Sequence, residues 1–342
     1  MISTHRRKFF LPCIALLHAL AACGDQGLTN YQLSGPTMGT RFSVAVVTDS
    51  EFDQQQLQAR IQETLDDVDR RMSTYRTDSE VSKFNHSSST DWIPVSRALC
   101  EAVDEAIELS NLTGGAFDIT VGPLVDLWGF GPGDSLNEPP SDDAIAEAIS
   151  RTGRVHLHAN CEIPAIRKDL AGLHIDLSAY AKGLAADEIA SLLDNQGIAN
   201  YLVEIGGDLR ARGHNASKTK WRIAIESPDQ PGHAVEKIIH IHDLSVATSG
   251  DYRNFFEFEG QRYSHTIDPR TGRPVAHDLA SVTVLADDAA QADALATALM
   301  VMGPEAGMVF AERQSIAVYL LIRDGSSITE RMSTQFMALT DP

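Results

Sequence analysis

Basic residues are in short supply: 28 lysines and arginines stand against 47 aspartates and glutamates, giving a formal net charge of −19. Such a surface repels polyanions, which excludes nucleic-acid binding, while the acidic excess by itself names no partner. Cysteine is scarcer still, at four in 342 residues. Cys13 and Cys23 fall in the N-terminal segment, so Cys100 and Cys161 can form at most one disulfide, which the sequence permits without specifying. The chain also lacks an internal repeat, and beyond residue 30 it has no low-complexity linker. One intertwined unit fits this better than two separable domains.

What is present begins with an export signal. The segment MISTHRRKFFLPCIALLHALAACGDQ carries Arg6, Arg7 and Lys8, then an apolar stretch from Phe9 to Leu20. That stretch suits a signal core and is shorter than the roughly 20 apolar residues of a spanning helix. Leu20-Ala21-Ala22-Cys23 resembles a bacterial lipobox, in which the cysteine thiol takes a diacylglycerol. The expectation is therefore a signal peptide over 1–22, a lipidated tether over 23–30 beginning at Cys23, and a single domain over 31–342. Removing three basic residues and no acidic one takes the net charge from −19 to −22. The mature chain would lie at the periplasmic face of a membrane, inner or outer. Gly24 in place of Asp after Cys23 favours the outer one under the usual sorting logic.

The rest reads as α+β, with mixed or antiparallel sheets flanked by helices. Residues YQLSGPTMGTRFSVAVV predict paired strands around a glycine-containing turn. Leu57, Ile61, Leu65 and Val68 at helical spacing predict a surface helix over Phe52–Met72. Further helices are expected over Ser96–Asn111, from Ser141, over Ala179–Asn195 and over Asp288–Met302. Strands are expected over Tyr201–Ile205, Trp221–Glu226, Ile238–Ala247 and Ala280–Ala286, and around Ile316–Ile322.

Three constellations carry candidate chemistry. Asp293 and Thr297, four apart, put a carboxylate and a hydroxyl on one helix face, a hard-oxygen pair suited to Mg2+. The alternative is a threonine bonded back to its own helix and an aspartate in solvent. Asp176 to Asp187 gathers small residues around Lys182 at a helix start, where free amides and partial positive charge favour a phosphate; a tightly packed junction reads the same way. Thr248–Asn254 and Ser264–Pro274 look like hairpin ends on one rim. They supply His265 and Asp268 as acid–base candidates or, equally, good turn sequence.

Together these blocks, with Gly35–Thr40, Met72–Tyr75, Gly115–Leu124 and Glu204–Asp208, resemble the ApbE family of FAD:protein FMN transferases, over about Tyr31 to Ser333. The resemblance implies a compact T-fold-like unit. It also implies transfer of FMN from FAD to a threonine hydroxyl of an acceptor flavoprotein, through a phosphoester bond and with release of AMP. Matching positions imply Mg2+ held by the Ala179 carbonyl, Asp293 and Thr297. FAD contacts are implied at Met38, Tyr75, Ala116, Phe117, Asp118, Asp176, Lys182 and Ile267, with His265 the candidate base and Asp268 its orienting group or a turn former. Acceptors in the family include subunits of sodium-pumping NADH:quinone oxidoreductase and Rnf-type complexes. Ser178, Ala179 and Ala296 depart from the commonest pattern, the first two standing where many members have glycines. FAD pyrophosphatase activity or flavin binding without catalysis are the competing readings.

Overall fold

The computed structural model describes residues 28–133, 138–228, 234–252, 254–325 and 327–340. The signal segment and Cys23 lie outside them. Eight strands form one sheet: β1 (Thr29–Thr37), β2 (Thr40–Thr48), β3 (Tyr201–Ile205), β4 (Asp208–Arg212), β5 (Ser245–Gly250), β6 (Leu279–Ala286), β7 (Ala317–Asp324) and β8 (Ser327–Met332). Their spatial order is their chain order, and each neighbouring pair is antiparallel. Among the described residues every other element except the last helix is carried in the connections. The expected first hairpin closes through Met38 and Gly39, both at positive φ (46° and 71°), the twist-matched geometry of a two-residue turn.

Alternation along the strands gives the sheet two apolar faces. Val44, Val46, Val203, Val282, Val284, Val318 and Leu320 join the larger core with the helices. Ala45, Val47, Val246, Leu285, Tyr319 and Leu321 face the opposite way. That second face is covered by a separate hairpin, Trp221–Glu226 with Val235–Ile241, and by Phe336 near the C-terminus, which stacks on Tyr319 at 5.5 Å. The sequence suggests one strand over Ile238–Ala247; the structure breaks it in two. Residues up to Ile241 belong to the covering hairpin and those from Ser245 to β5, with Asp243 between them at φ 52° accepting from the Gly213 amide at 2.7 Å.

The helices are α1 (Gln54–Met72), α2 (Glu80–His86), α3 (Arg97–Leu112), α4 (Gly122–Leu127), α5 (Asp142–Ile149), α6 (Ala181–Asp194), α7 (Ala289–Met302), α8 (Pro304–Gln314) and α9 (Thr334–Thr340). Asp53, Ser96, Ser141 and Asp288 each accept a backbone amide of the following turn, which fixes four of the helix starts. Leu57, Ile61, Leu65 and Val68 of α1 are all buried, as their spacing predicts. Cys100 on α3 and Cys161 are joined by a disulfide, their Cα atoms 5.7 Å apart, which settles the pairing the sequence leaves open. Among the described residues no helix is long and apolar enough to cross a membrane.

Helices α6 and α7 position the site. They pack against each other and on the sheet, α6 over β3 and β4, α7 over β5 and β6. Asp187 of α6 accepts the amides of Ala289 (2.8 and 3.0 Å) and Ala290 (2.9 Å), so one helix caps the other. A Cβ on Gly183 would sit 2.2 Å from the Ala289 carbonyl oxygen, so only glycine permits this approach. The expected start of α6 at Ala179 moves to Ala181. Ser178 and Ala179 instead form a turn in which the Leu177 carbonyl accepts from Tyr180 and Ala181.

Gly183→Ala is expected to destabilise the fold by about 1–3 kcal/mol. The overpacking is against backbone that cannot swing away, and it outweighs the gain of about 1 kcal/mol in helix propensity. Urea denaturation checks this; a variant as stable as the parent would show that the helices can separate at no cost.

Candidate active site

A cavity of about 850 Å³ opens where the loops after β5, the start of α6 and the middle of α7 meet. That is the size of a cofactor site. It takes in Tyr75, Ala116, Phe117, Asp118, Asp176, Ala179, Lys182, His265, Ile267, Asp293 and Thr297, eleven of the thirteen candidates.

At its centre the Lys182 ammonium lies 2.6 Å from Asp208 Oδ2 and 3.3 Å from Asp293 Oδ2. Both aspartates are buried, at 3% and 6% exposure. Burial works against the charge on Lys182, and the two carboxylates outweigh it and raise its pKa. Burial also raises the Asp293 pKa, reinforced by Asp208 and opposed by Lys182 and by the Gly183 amide, which donates to the carboxylate. Gly183 therefore acts twice, through the amide it offers Asp293 and through the side chain it lacks.

Three oxygen donors of different chemistry line this wall: the Asp293 carboxylate, the Thr297 hydroxyl one turn further along α7, and the Ala179 carbonyl. Among the described residues no hydrogen bond engages the Thr297 hydroxyl, so it does not bond back to its own helix, and no backbone amide donates to the Ala179 carbonyl. A hard divalent cation such as Mg2+ fits such donors. Among the described residues no group of three or more His, Cys, Asp or Glu side chains is placed to hold a metal, so an ion here would complete its shell with water and ligand oxygens. Ala296 is fully buried in the core and does not line the cavity.

The other walls are less charged. Asp118 spends its carboxylate locally, accepting from the Thr120 amide (2.9 Å) and hydroxyl (2.7 Å) and from the Arg154 amide (3.0 Å), which shapes the Ala116–Asp118 loop. Burial raises the Asp176 pKa, and its Oδ1 accepts from the Ser178 amide at 2.7 Å. Tyr75 is 67% exposed, its hydroxyl donating to the Phe130 carbonyl at 3.2 Å, so its ring stands as a platform at the mouth.

His265 Nδ1 lies 3.0 Å from the Asn254 carbonyl oxygen, and its ring meets Phe130 edge-on at 6.3 Å. A carbonyl only accepts, so the proton sits on Nδ1 and Nε2 carries the lone pair. Burial lowers the His265 pKa below its ordinary value, Lys182 adds to the lowering, and the Asn254 bond opposes it.

Two expected residues fall outside the cavity. The Asp268 carboxylate is taken by Arg270, through its amide at 2.9 Å and its guanidinium at 2.8 and 2.9 Å, and makes no bond to His265. It builds the turn and does not orient the base. Met38 is the turn residue between β1 and β2 and packs against the larger core; its neighbours Thr40 and Arg41 line the cavity instead. Asp208 lay in a motif block without being singled out. Its signal was the Gly206-Gly207 turn before it, at φ 60° and 105°, where backbone approaches the lysine stem.

A profile of the ApbE family matches residues 38–320. The FAD:protein FMN transferase of Vibrio cholerae serotype O1 is 44% identical over 328 residues, covering 96% of this chain and 97% of that one. The protein of the same name from Escherichia coli K12 is 42% identical over 306 residues, covering 89% and 87%. Among solved structures, flavin transferase ApbE from V. cholerae aligns with a TM-score of 0.85 at 44% identity, over 91% of this chain and 99% of that one. The apo flavinyl transferase ApbE from Pseudomonas stutzeri gives 0.85 at 38% identity, over 92% and 98%. With matches of this extent in both sequence and structure, the chain belongs to the ApbE family.

Proposed function

We propose that this chain is an Mg2+-dependent FAD:protein FMN transferase, which moves FMN from FAD to a threonine hydroxyl of an acceptor flavoprotein and releases AMP. The observation that carries the reading is the cavity itself, where residues from positions 75 to 297 present a ring platform, a lysine held by two buried carboxylates and three oxygen donors around one space.

Transfer requires that charge on two adjoining phosphates be offset and that a weak nucleophile lose its proton. Mg2+, when bound by Asp293, Thr297 and the Ala179 carbonyl, supplies Lewis-acid polarisation of the phosphoryl oxygens. Lys182 brings a positive charge to the same phosphates, held in place by two buried carboxylates, so little reorganisation accompanies reaction. The flavin ring has area to lie on at Tyr75 and apolar wall at Phe117 and Ile267. His265, held neutral by burial and oriented by Asn254, offers Nε2 to the acceptor hydroxyl. The hydrophobic cluster behind it, Trp128, Phe130, Phe256 and Tyr263, stacks tightly enough to keep the imidazole in place.

The N-terminal pattern supports export and lipidation at Cys23, which would hold the enzyme at the periplasmic face of a membrane. Acceptors would then be exported flavoprotein domains such as subunits of sodium-pumping NADH:quinone oxidoreductase or Rnf-type complexes.

Incubation with FAD, Mg2+ and an exported acceptor domain should add the mass of FMN to one threonine, read by mass spectrometry. Steady AMP release with no adduct on any acceptor of the same cell would favour FAD hydrolysis instead, and tight FAD binding without AMP would favour storage. Asp293→Ala should abolish transfer; turnover equal to the parent's would refute the metal assignment.

His265→Gln should lower kcat by about 100-fold or more, the range of a positioned base. Because burial lowers the imidazole pKa, transfer should hold level above about pH 6.5 and fall only at lower pH, as the ring takes its second proton. An NMR titration midpoint above the ordinary histidine value would contradict this. Replacing Cys23 by Ser should leave the protein unlipidated, as metabolic labelling with a fatty acid would reveal; labelling that persisted would remove Cys23 as the anchor.

A further inference from the structure

We infer that Asp208 is a positioning residue for the divalent cation: it holds Lys182 as its own counter-ion, so that Asp293 remains free to ligate. The inference rests on the metal reading above and assigns a role to a residue outside the ligand set.

Two buried carboxylates share one ammonium, and they share it unequally. The 2.6 Å contact to Asp208 is a short charge-assisted hydrogen bond, whereas the 3.3 Å contact to Asp293 is long for one. The lysine side chain is 32% exposed, yet its ammonium sits against two buried carboxylates and keeps whichever of them is charged as its counter-ion. With Asp208 neutralised, Asp293 is, among the described residues, the remaining carboxylate paired with Lys182. The lysine would then occupy the oxygen a cation needs, and every binding event would have to displace it.

The backbone supports the same division. Asp208 is the first residue of β4, paired with Ile205 across the Gly206-Gly207 turn. That turn lies against the lysine stem: a Cβ on Gly206 would stand 3.3 Å from Lys182 Cδ. The sheet thus fixes Asp208, and the lysine leans toward it, while Asp293 comes from α7 and meets Lys182 in a single long hydrogen bond through Oδ2 at 3.3 Å.

The test is a titration with Mn2+ in place of Mg2+, following free aqua Mn2+ by electron paramagnetic resonance with the mature chain, no acceptor and no turnover. Asp208→Asn is expected to raise the Mn2+ Kd tenfold or more. Lys182→Gln, which removes the competitor, should bind Mn2+ at least as tightly as the parent, and adding it to Asp208→Asn should restore affinity to within threefold of Lys182→Gln alone. A folded Asp208→Asn chain with Kd within twofold of the parent overturns the inference. So does a tenfold loss in Lys182→Gln, which decides the matter even if Asp208→Asn fails to fold. A parent that binds no Mn2+, or an Asp293→Ala variant that binds it undiminished, overturns the metal reading itself, and this inference with it.

Discussion

The approach of α6 to α7 at Gly183 and Ala289 is the constraint on which the site depends. Lys182 and Asp293 are 111 residues apart in the chain and reach hydrogen-bond distance only because two helices pack with a hydrogen atom between their backbones. The same contact lets Asp187 cap α7 and lets the Gly183 amide reach Asp293. Tyr180, at the head of α6, adds a bond to Glu105 that ties this helix to α3. The precision of the oxygen donors is therefore a property of helix packing, with the sheet beneath as the common floor.

An acidic protein that takes a diphosphate must solve a local problem against its overall charge. At the centre of the cavity the groups that can offset such charge are few: one lysine, and the oxygen donors proposed to hold a cation, while the Tyr180 and Ala181 amides at the start of α6 are spent on Leu177. Inside the cavity short-range terms dominate, because charges at contact distance in a poorly solvated space act far more strongly than distant surface carboxylates screened by salt. The net charge of −19 thus excludes extended polyanions and says nothing about a small one enclosed by the fold.

The helix starts were legible because they rest on local chemistry, a capping side chain followed by an apolar repeat, as at Asp53, Ser96, Ser141 and Asp288. The Asp293–Thr297 pair was legible for the same reason: four residues on a helix bring two side chains to one face. What could not be read depends on partners distant in sequence. The run Ile238–Ala247 has strand composition throughout, and only tertiary pairing assigns its halves to different sheets. Helix α8 went unnoticed because its buried face is made of Gly307, Met308 and Ala311 while Val309 is 68% exposed, so apolar spacing marks no face. Asp268 looked catalytic beside His265, yet Arg270, two residues on, had the nearer claim on it. Eight motif blocks in family order located the cavity well, because they specify which loops meet without requiring their contacts to be derived.

The strand order has a consequence for how such a chain comes into being. Since every strand of the main sheet pairs with the one before it, a polypeptide that folds from its N-terminus can extend the sheet strand by strand, with no gap awaiting a later strand. The pocket is different. Lys182 and Asp208 are in place once β4 has formed, but the aspartate and threonine facing them arrive with α7, more than 80 residues later in the chain. A chain folded only that far has one wall of the cavity and lacks the other, so ligand capture becomes a mark of a chain in which α7 has also packed.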